Sequence, residues 1–243
     1  MKRLLCVICA ATLVAPAMAY YAGTLWVADS YGTTNGGEYV AHPSGNWSAH
    51  RINPVPPLFE TFCVEKNEYL NFGSGYTFQV DIDPYVVRGG VGANPPPYPQ
   101  LSPKTAWLYC QFIKGQLNGY VYTDSGNIND ANDPRVQSAN ALQNVIWYYE
   151  NEIANWASGL SGSTLALAQH FYNLAEAANP QDIGCTRVMN LWRKDNPWGW
   201  GAFNAALGRY EYQSLLVCVP APAAAMLGVI GLGLVGWVKR RLS

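Results

Sequence analysis

Each end of the chain carries an apolar run beside basic residues, and neither end carries an acid. That arrangement confines the part that must fold in water to residues 20 to 218. At the start, Lys2 and Arg3 precede the run Leu4 to Val14 and then the triplet Ala17-Met18-Ala19. A short apolar run ending in small-x-small is the cleavage signature of a secretory signal peptide, and it is too short to span a bilayer. Residues 1–19 therefore read as a signal peptide. Its removal leaves four cysteines, Cys63, Cys110, Cys185 and Cys218.

The C-terminal 219–243 segment has three parts in order: Val219-Pro220-Ala221-Pro222, the uncharged run Ala223 to Val238, and Lys239-Arg240-Arg241. In lipid such a run must be helical, because nothing else satisfies its backbone there. At about 1.5 Å per residue it falls slightly short of a hydrocarbon core of about 30 Å. The basic cluster keeps to the cytoplasm and leaves the main domain outside. A Pro-x-Pro motif, a Gly-rich transmembrane helix and a terminal Arg cluster together resemble the PEP-CTERM sorting signal of Gram-negative bacteria, with Val219, Pro220 and Pro222 at the motif and Ala221 where Glu is usual. The resemblance implies that an exosortase in the inner membrane processes the tail. The protein would then be anchored only transiently before reaching the cell surface or the extracellular matrix.

Without the five basic residues of the two ends, 10 basic face 16 acidic side chains, so the middle sits near -6. That balance excludes a basic nucleic-acid binder. A chain 49% apolar and only 13% charged is also no candidate for disorder. Tyr76, Phe78, Val80 and Ile82 alternate with polar residues, the period of a half-buried strand. Further strands are expected at Thr24–Ala28, Gly37–Ala41, Glu60–Glu65, Thr186–Arg193 and Tyr210–Val219, with Gly89 to Pro103 as a linker. Three helices are expected between the two groups of strands. Ser102-Pro103 starts one ending near Gly115, Asp133-Pro134 starts one ending near Ile153, and Ser163 starts one ending at Asn179-Pro180. The expected fold class is α+β: a small β-sheet or barrel with an inserted three-helix subdomain.

Conventional enzyme signatures are absent from the sequence, as are metal-ligand spacings and cofactor motifs. What stands out is a pair of segments. Thr61-Phe62-Cys63-Val64-Glu65 reads as a strand in which Cys63 points opposite Phe62 and Val64. Leu142-Gln143-Asn144-Val145-Ile146-Trp147 falls in the second helix, where Gln143 shares the side of Ala139 and Ile146. A polar amide on a core-facing side needs a partner or costs about 1–3 kcal/mol.

An aromatic-Cys-aliphatic-acid strand, followed some way on by apolar-Gln-x-x-apolar-Trp, resembles the thioester domain of bacterial surface adhesins over roughly Tyr20 to Val219. Glu65 and Val145 depart from that pattern, where Asp or Asn and Ala are expected. The resemblance implies an internal thioester between Cys63 and Gln143, sheltered by Phe62 and Trp147. An amine on a surface ligand or matrix polymer would open it and remain amide-linked to Gln143. This is a single covalent capture, not turnover, so the protein is not read as an enzyme.

The other reading is a non-reactive, disulfide-stabilised exopolysaccharide or biofilm matrix protein that binds glycans through aromatics such as Trp198 and Trp200. Cys185 and Cys218 flank the last strands and are a possible disulfide. Four cysteines allow three full pairings, and a Cys63–Cys110 bond would exclude the thioester. A cysteine hydrolase with His170 as base is a third reading, and the sequence supplies nothing to orient that histidine. The oxygen-rich loop at Asp124, Asn127, Asn129, Asp130 and Asp133 lacks the ordered spacing of a calcium loop and reads as a turn capping the next helix.

Overall fold

A computed structural model describes residues 20–33, 36–44, 58–87, 97–123 and 126–219. The 1–19 segment expected to be a signal peptide, the apolar C-terminal run, Pro220, Pro222 and Asp124 lie outside them. No helix among the described residues is long and apolar enough to cross a membrane. The chain is α+β, with an eight-stranded antiparallel sheet and three helices inserted between its fourth and fifth strands.

The strands are β1 (Tyr20–Thr33), β2 (Gly36–Ser44), β3 (Phe59–Phe62), β4 (Phe78–Asp83), β5 (Thr186–Arg193), β6 (Ala202–Asn204), β7 (Arg209–Glu211) and β8 (Leu215–Cys218). Their order is β3-β2-β1-β4-β5-β7-β6, with β8 also on β5. Beyond β3, Cys63 bridges Leu215, and the Val64 N–H donates to the Ser214 carbonyl at 2.9 Å. The pairings therefore run in a ring, from β3 through β2, β1, β4, β5 and β8 back to Cys63. One side chain in two points into this ring: Leu25, Val27, Phe78, Val80, Ile82, Met189, Leu191, Leu215 and Val217 form one apolar cluster. Phe62, Val64, Val188 and Leu216 point outward into a second cluster, shared with the helices.

Helix α1 (Pro103–Ile113) is capped by Ser102, which accepts from the Lys104 N–H, and α2 (Pro134–Tyr149) by Asp133, which accepts from the N–H groups of Arg135 and Val136. Both place proline in the first turn, where no N–H is required. Helix α3 (Gly162–Ala178) stops at Asn179, which takes the left-handed conformation ahead of Pro180. Helix α2 lies on β1 and β2 and packs against α1 and α3. It is accordingly buried on most of its circumference, Ser138, Ala141 and Val145 included, rather than along a single stripe.

Four expectations need correcting. Helix α2 ends at Tyr149, short of Ile153, because Asn151 turns to φ 62° and the Glu152 N–H reaches back to the Trp147 carbonyl. Strand β3 ends at Phe62 because Cys63 and Val64 leave β2 for β8. The single strand expected at Tyr210–Val219 is two, β7 and β8, separated where Gln213 and Ser214 turn toward Glu65. Part of the expected linker is paired: the Val86 N–H donates to the Pro99 carbonyl and the Leu101 N–H to the Pro84 carbonyl.

Glu150, at the C-terminus of α2, accepts the Ser102 N–H at 3.1 Å and so ties α2 to the cap of α1. Burial raises its carboxyl from 4.5 to about 7. A carboxyl raised in the folded state favours folding below its ordinary range, and that stabilisation is lost as the pH climbs through the folded value. Glu150→Gln keeps an acceptor for Ser102 and removes the ionisation. It is expected to gain about 1–2 kcal/mol at pH 8 and almost nothing at pH 4.5, the figure discounted for partial exposure. Thermal melts of both proteins across that window check it.

Candidate functional site

The end of β3 and the middle of α2 meet at Cys63 and Gln143, which are 5% and 1% exposed. The Cys63 N–H donates to Gln143 Oε1 at 3.1 Å, and Gln143 Nε2 donates to the Cys63 carbonyl at 2.8 Å. The buried amide is thus satisfied in both directions by the backbone of one residue. Gly36, at the start of β2, permits the approach. With φ at 128°, it has no Cβ to meet Trp147 Cη2 at 2.5 Å and Gln143 Cγ at 2.9 Å.

The sulfur belongs to the cluster inside the ring, with Tyr39 and Leu215. Burial pushes the Cys63 thiol up, the Glu65 carboxyl adds to this, and a hydrogen bond with the Tyr39 hydroxyl opposes it. The resting group is a thiol, not a thiolate. Glu65 is buried as well, and desolvation pushes its carboxyl well above the usual range. Its Oε2 accepts from the Ser214 N–H at 2.8 Å and from Gln213 Nε2 at 3.0 Å, while Oε1 has no partner among the described residues. Neither Tyr39 nor Glu65 stood out as a proton carrier in the sequence. The position of Glu65 two residues after Cys63 on one strand face was the available signal.

Two clefts flank the pair. One, of about 450 Å³, is lined by Cys63, Tyr39, Glu65 and Gln213 with the aromatic rings of Tyr69 and Phe72 at its margin. The other, of about 670 Å³, is lined by Gln143 and by polar residues of α2 and the 158–164 segment. Gly36, Lys66 and Trp147 form the wall common to both. Cysteine and glutamine therefore open to different sides.

Of the two expected sheltering aromatics, Trp147 sits at the site and Phe62 does not. Phe62 points outward and packs edge-on against Phe112 with ring centroids 5.0 Å apart. Cys185 and Cys218 are joined in a disulfide, and Cys63 and Cys110 are both free thiols. Cys110 Sγ lies 3.8 Å from Cys185 Sγ. Val219 continues β8, donating to the Cys185 carbonyl at 2.8 Å. His170 hydrogen-bonds to Asn118 and lines neither cleft. Trp198 is packed on Tyr76, Phe78 and Tyr212, whereas Trp200 is half exposed, edge-on to Tyr69. Asp133 is used as a helix cap, and no group of His, Cys, Asp and Glu among the described residues is placed to hold a metal ion.

Comparison with protein-family models, with curated proteins and with solved structures finds no match for this chain. The chemistry of the site therefore rests on its own geometry. A carboxamide whose oxygen takes a backbone N–H is polarised toward attack at carbon, and its nitrogen is held by the carbonyl of the same residue. The free Cys63 thiol and the incompletely bonded Glu65 carboxyl line the smaller cleft beside it.

Proposed function

We propose that Cys63 and Gln143 form an internal thioester, with which an exported protein captures amine-bearing partners covalently, as an adhesin does. The observation that carries this reading is the reciprocal hydrogen bonding between the Gln143 carboxamide and the Cys63 peptide, beside a free thiol. Cys63 Sγ attacks the Gln143 carboxamide carbon, the carbon–nitrogen bond breaks, and ammonia leaves. The thiol proton ends on the departing nitrogen, with Glu65 as the group that relays it. An incoming primary amine then attacks the same carbon and the sulfur leaves, regaining a proton as the free thiol. Gln143 ends amide-linked to the partner.

The 1–19 segment directs export, the 219–243 segment holds the protein at the inner membrane for an exosortase, and the ring of strands with its helical insert is displayed at the surface or in the matrix. A second reading, a non-reactive matrix protein, is favoured by the Cys185–Cys218 disulfide and by the exposed edge-on pair Tyr69 and Trp200.

Intact mass separates the two. The purified exported protein is expected to be lighter than its sequence by one ammonia beyond the hydrogens lost to the disulfide. Methylamine is expected to add to it, and Cys63→Ala is expected to show neither effect. A mass short only by the disulfide hydrogens, unchanged by methylamine, would leave the matrix-protein reading standing alone.

A further inference from the structure

The larger cleft has an unusual lining. Helix α2 turns one stripe toward it, Gln137, Asn140, Gln143, Asn144 and Trp147, spaced at three and four residues. Thr33 and the hydroxyls of the 158–164 segment, Thr164 among them, face this stripe. Among the described residues lining the cleft, Lys66 is the single charged one. Several amide groups are left open. Asn140 Oδ1 accepts from the Thr33 N–H at 3.1 Å, but Asn140 Nδ2 takes no partner among the described residues. Asn144 Nδ2 donates to the carbonyls of Ser158 and Trp156, leaving its oxygen free. The Trp147 indole N–H at the common wall also lacks an acceptor among the described residues.

Resting on the thioester reading, we infer that this cleft is the entry site for the captured amine and that the amine belongs to an amino sugar, a hexosamine unit of a polysaccharide. Carboxamides and hydroxyls without carboxylates match a neutral, polyhydroxylated ligand, each group able to donate and accept. The volume lies within the usual small-ligand range of about 300–1,000 Å³. A lysine ammonium entering here meets Lys66 and no carboxylate, so it gains no ion pair and must shed its proton. The amine of a hexosamine, weakened as a base by the ring oxygens near it, presents more of the free base at neutral pH. It reaches Gln143 from this cleft while the leaving sulfur stays on the side of the smaller one.

The test compares rates of adduct formation by intact mass for methylamine, a glucosamine trimer and Nα-acetyl-lysine amide at equal concentration. The trimer is expected to react at least about tenfold faster than the lysine compound, the equivalent of one or two good hydrogen bonds. Its rate relative to methylamine is expected to fall by about the same factor in Asn140→Ala, and again in Thr164→Tyr, which fills the cleft from α3 without touching the Asn140–Thr33 bond. Lysine capture as fast as the trimer, or a ratio unchanged in both variants, overturns the amino-sugar assignment while a methylamine adduct leaves the thioester standing. No adduct with any of the three amines overturns both.

Discussion

Arg135→Met is expected to destabilise the protein by about 3–5 kcal/mol, because it strands a carboxylate that the fold has removed from water. Arg135 Nη2 lies 2.5 Å from Glu38 Oε1 and 2.6 Å from Glu60 Oε1, and its Nε donates to Glu38 Oε2 at 3.2 Å. Glu38 is 1% exposed, and the Tyr120 hydroxyl completes its shell. The guanidinium is also 4.2 Å from the centroid of the Tyr31 ring. These contacts pin the first turn of α2 to β2 and β3. Gln143 stands eight residues further along, about 12 Å at the helical rise, where it meets Cys63. Urea unfolding checks the loss. Adding Glu38→Gln to Arg135→Met is expected to recover part of it, since the buried charge is then gone. Full stability in the single variant would show that the triad holds nothing in place.

Gly36→Ala is expected to cost about 2–5 kcal/mol, from a strained backbone together with an overpacked contact. The new methyl would overlap the Trp147 ring and crowd Gln143, at a φ that L residues rarely adopt. Relief requires Trp147 to move, and Gln143 sits on the same side of the glycine. With the proposed thioester in place, the variant is therefore expected to lose methylamine uptake as well as stability. Gly36→Ala with Trp147→Leu removes the overlap and leaves the backbone strain. It is expected to regain about half of the stability in urea unfolding. Unchanged uptake and stability in Gly36→Ala would mean that the close approach plays no part in holding the pair.

Much of the local structure was legible from residue order. Ser102-Pro103 and Asp133-Pro134 marked helix starts because capping and proline geometry are decided within four residues. The alternation at Phe78, Val80 and Ile82 marked β4, because side-chain direction in a strand is a property of the backbone alone. The same rule set Cys63 opposite Phe62 and Val64, and so put Phe62 in the helix-facing cluster rather than over the sulfur. Periodicity turned Gln143 toward the rest of the protein but could not say what it would meet.

What only the tertiary structure decided depends on contacts distant in sequence. Strand β3 stops at Phe62 because β8, far along the chain, offers Cys63 a partner. Gly36 reads as one of several glycines until α2 brings Trp147 against it. Glu65 reads as a strand-end acid until Ser214 and Gln213 bury it beside a thiol with one oxygen unbonded. Gln137, Asn140 and Asn144 carry no sign of a shared site until the 158–164 segment closes a cleft over them. Caps and alternation are short-range and steric, so the order of residues determines them. A site built where a strand leaves one partner for another is long-range, and folding alone brings its parts together.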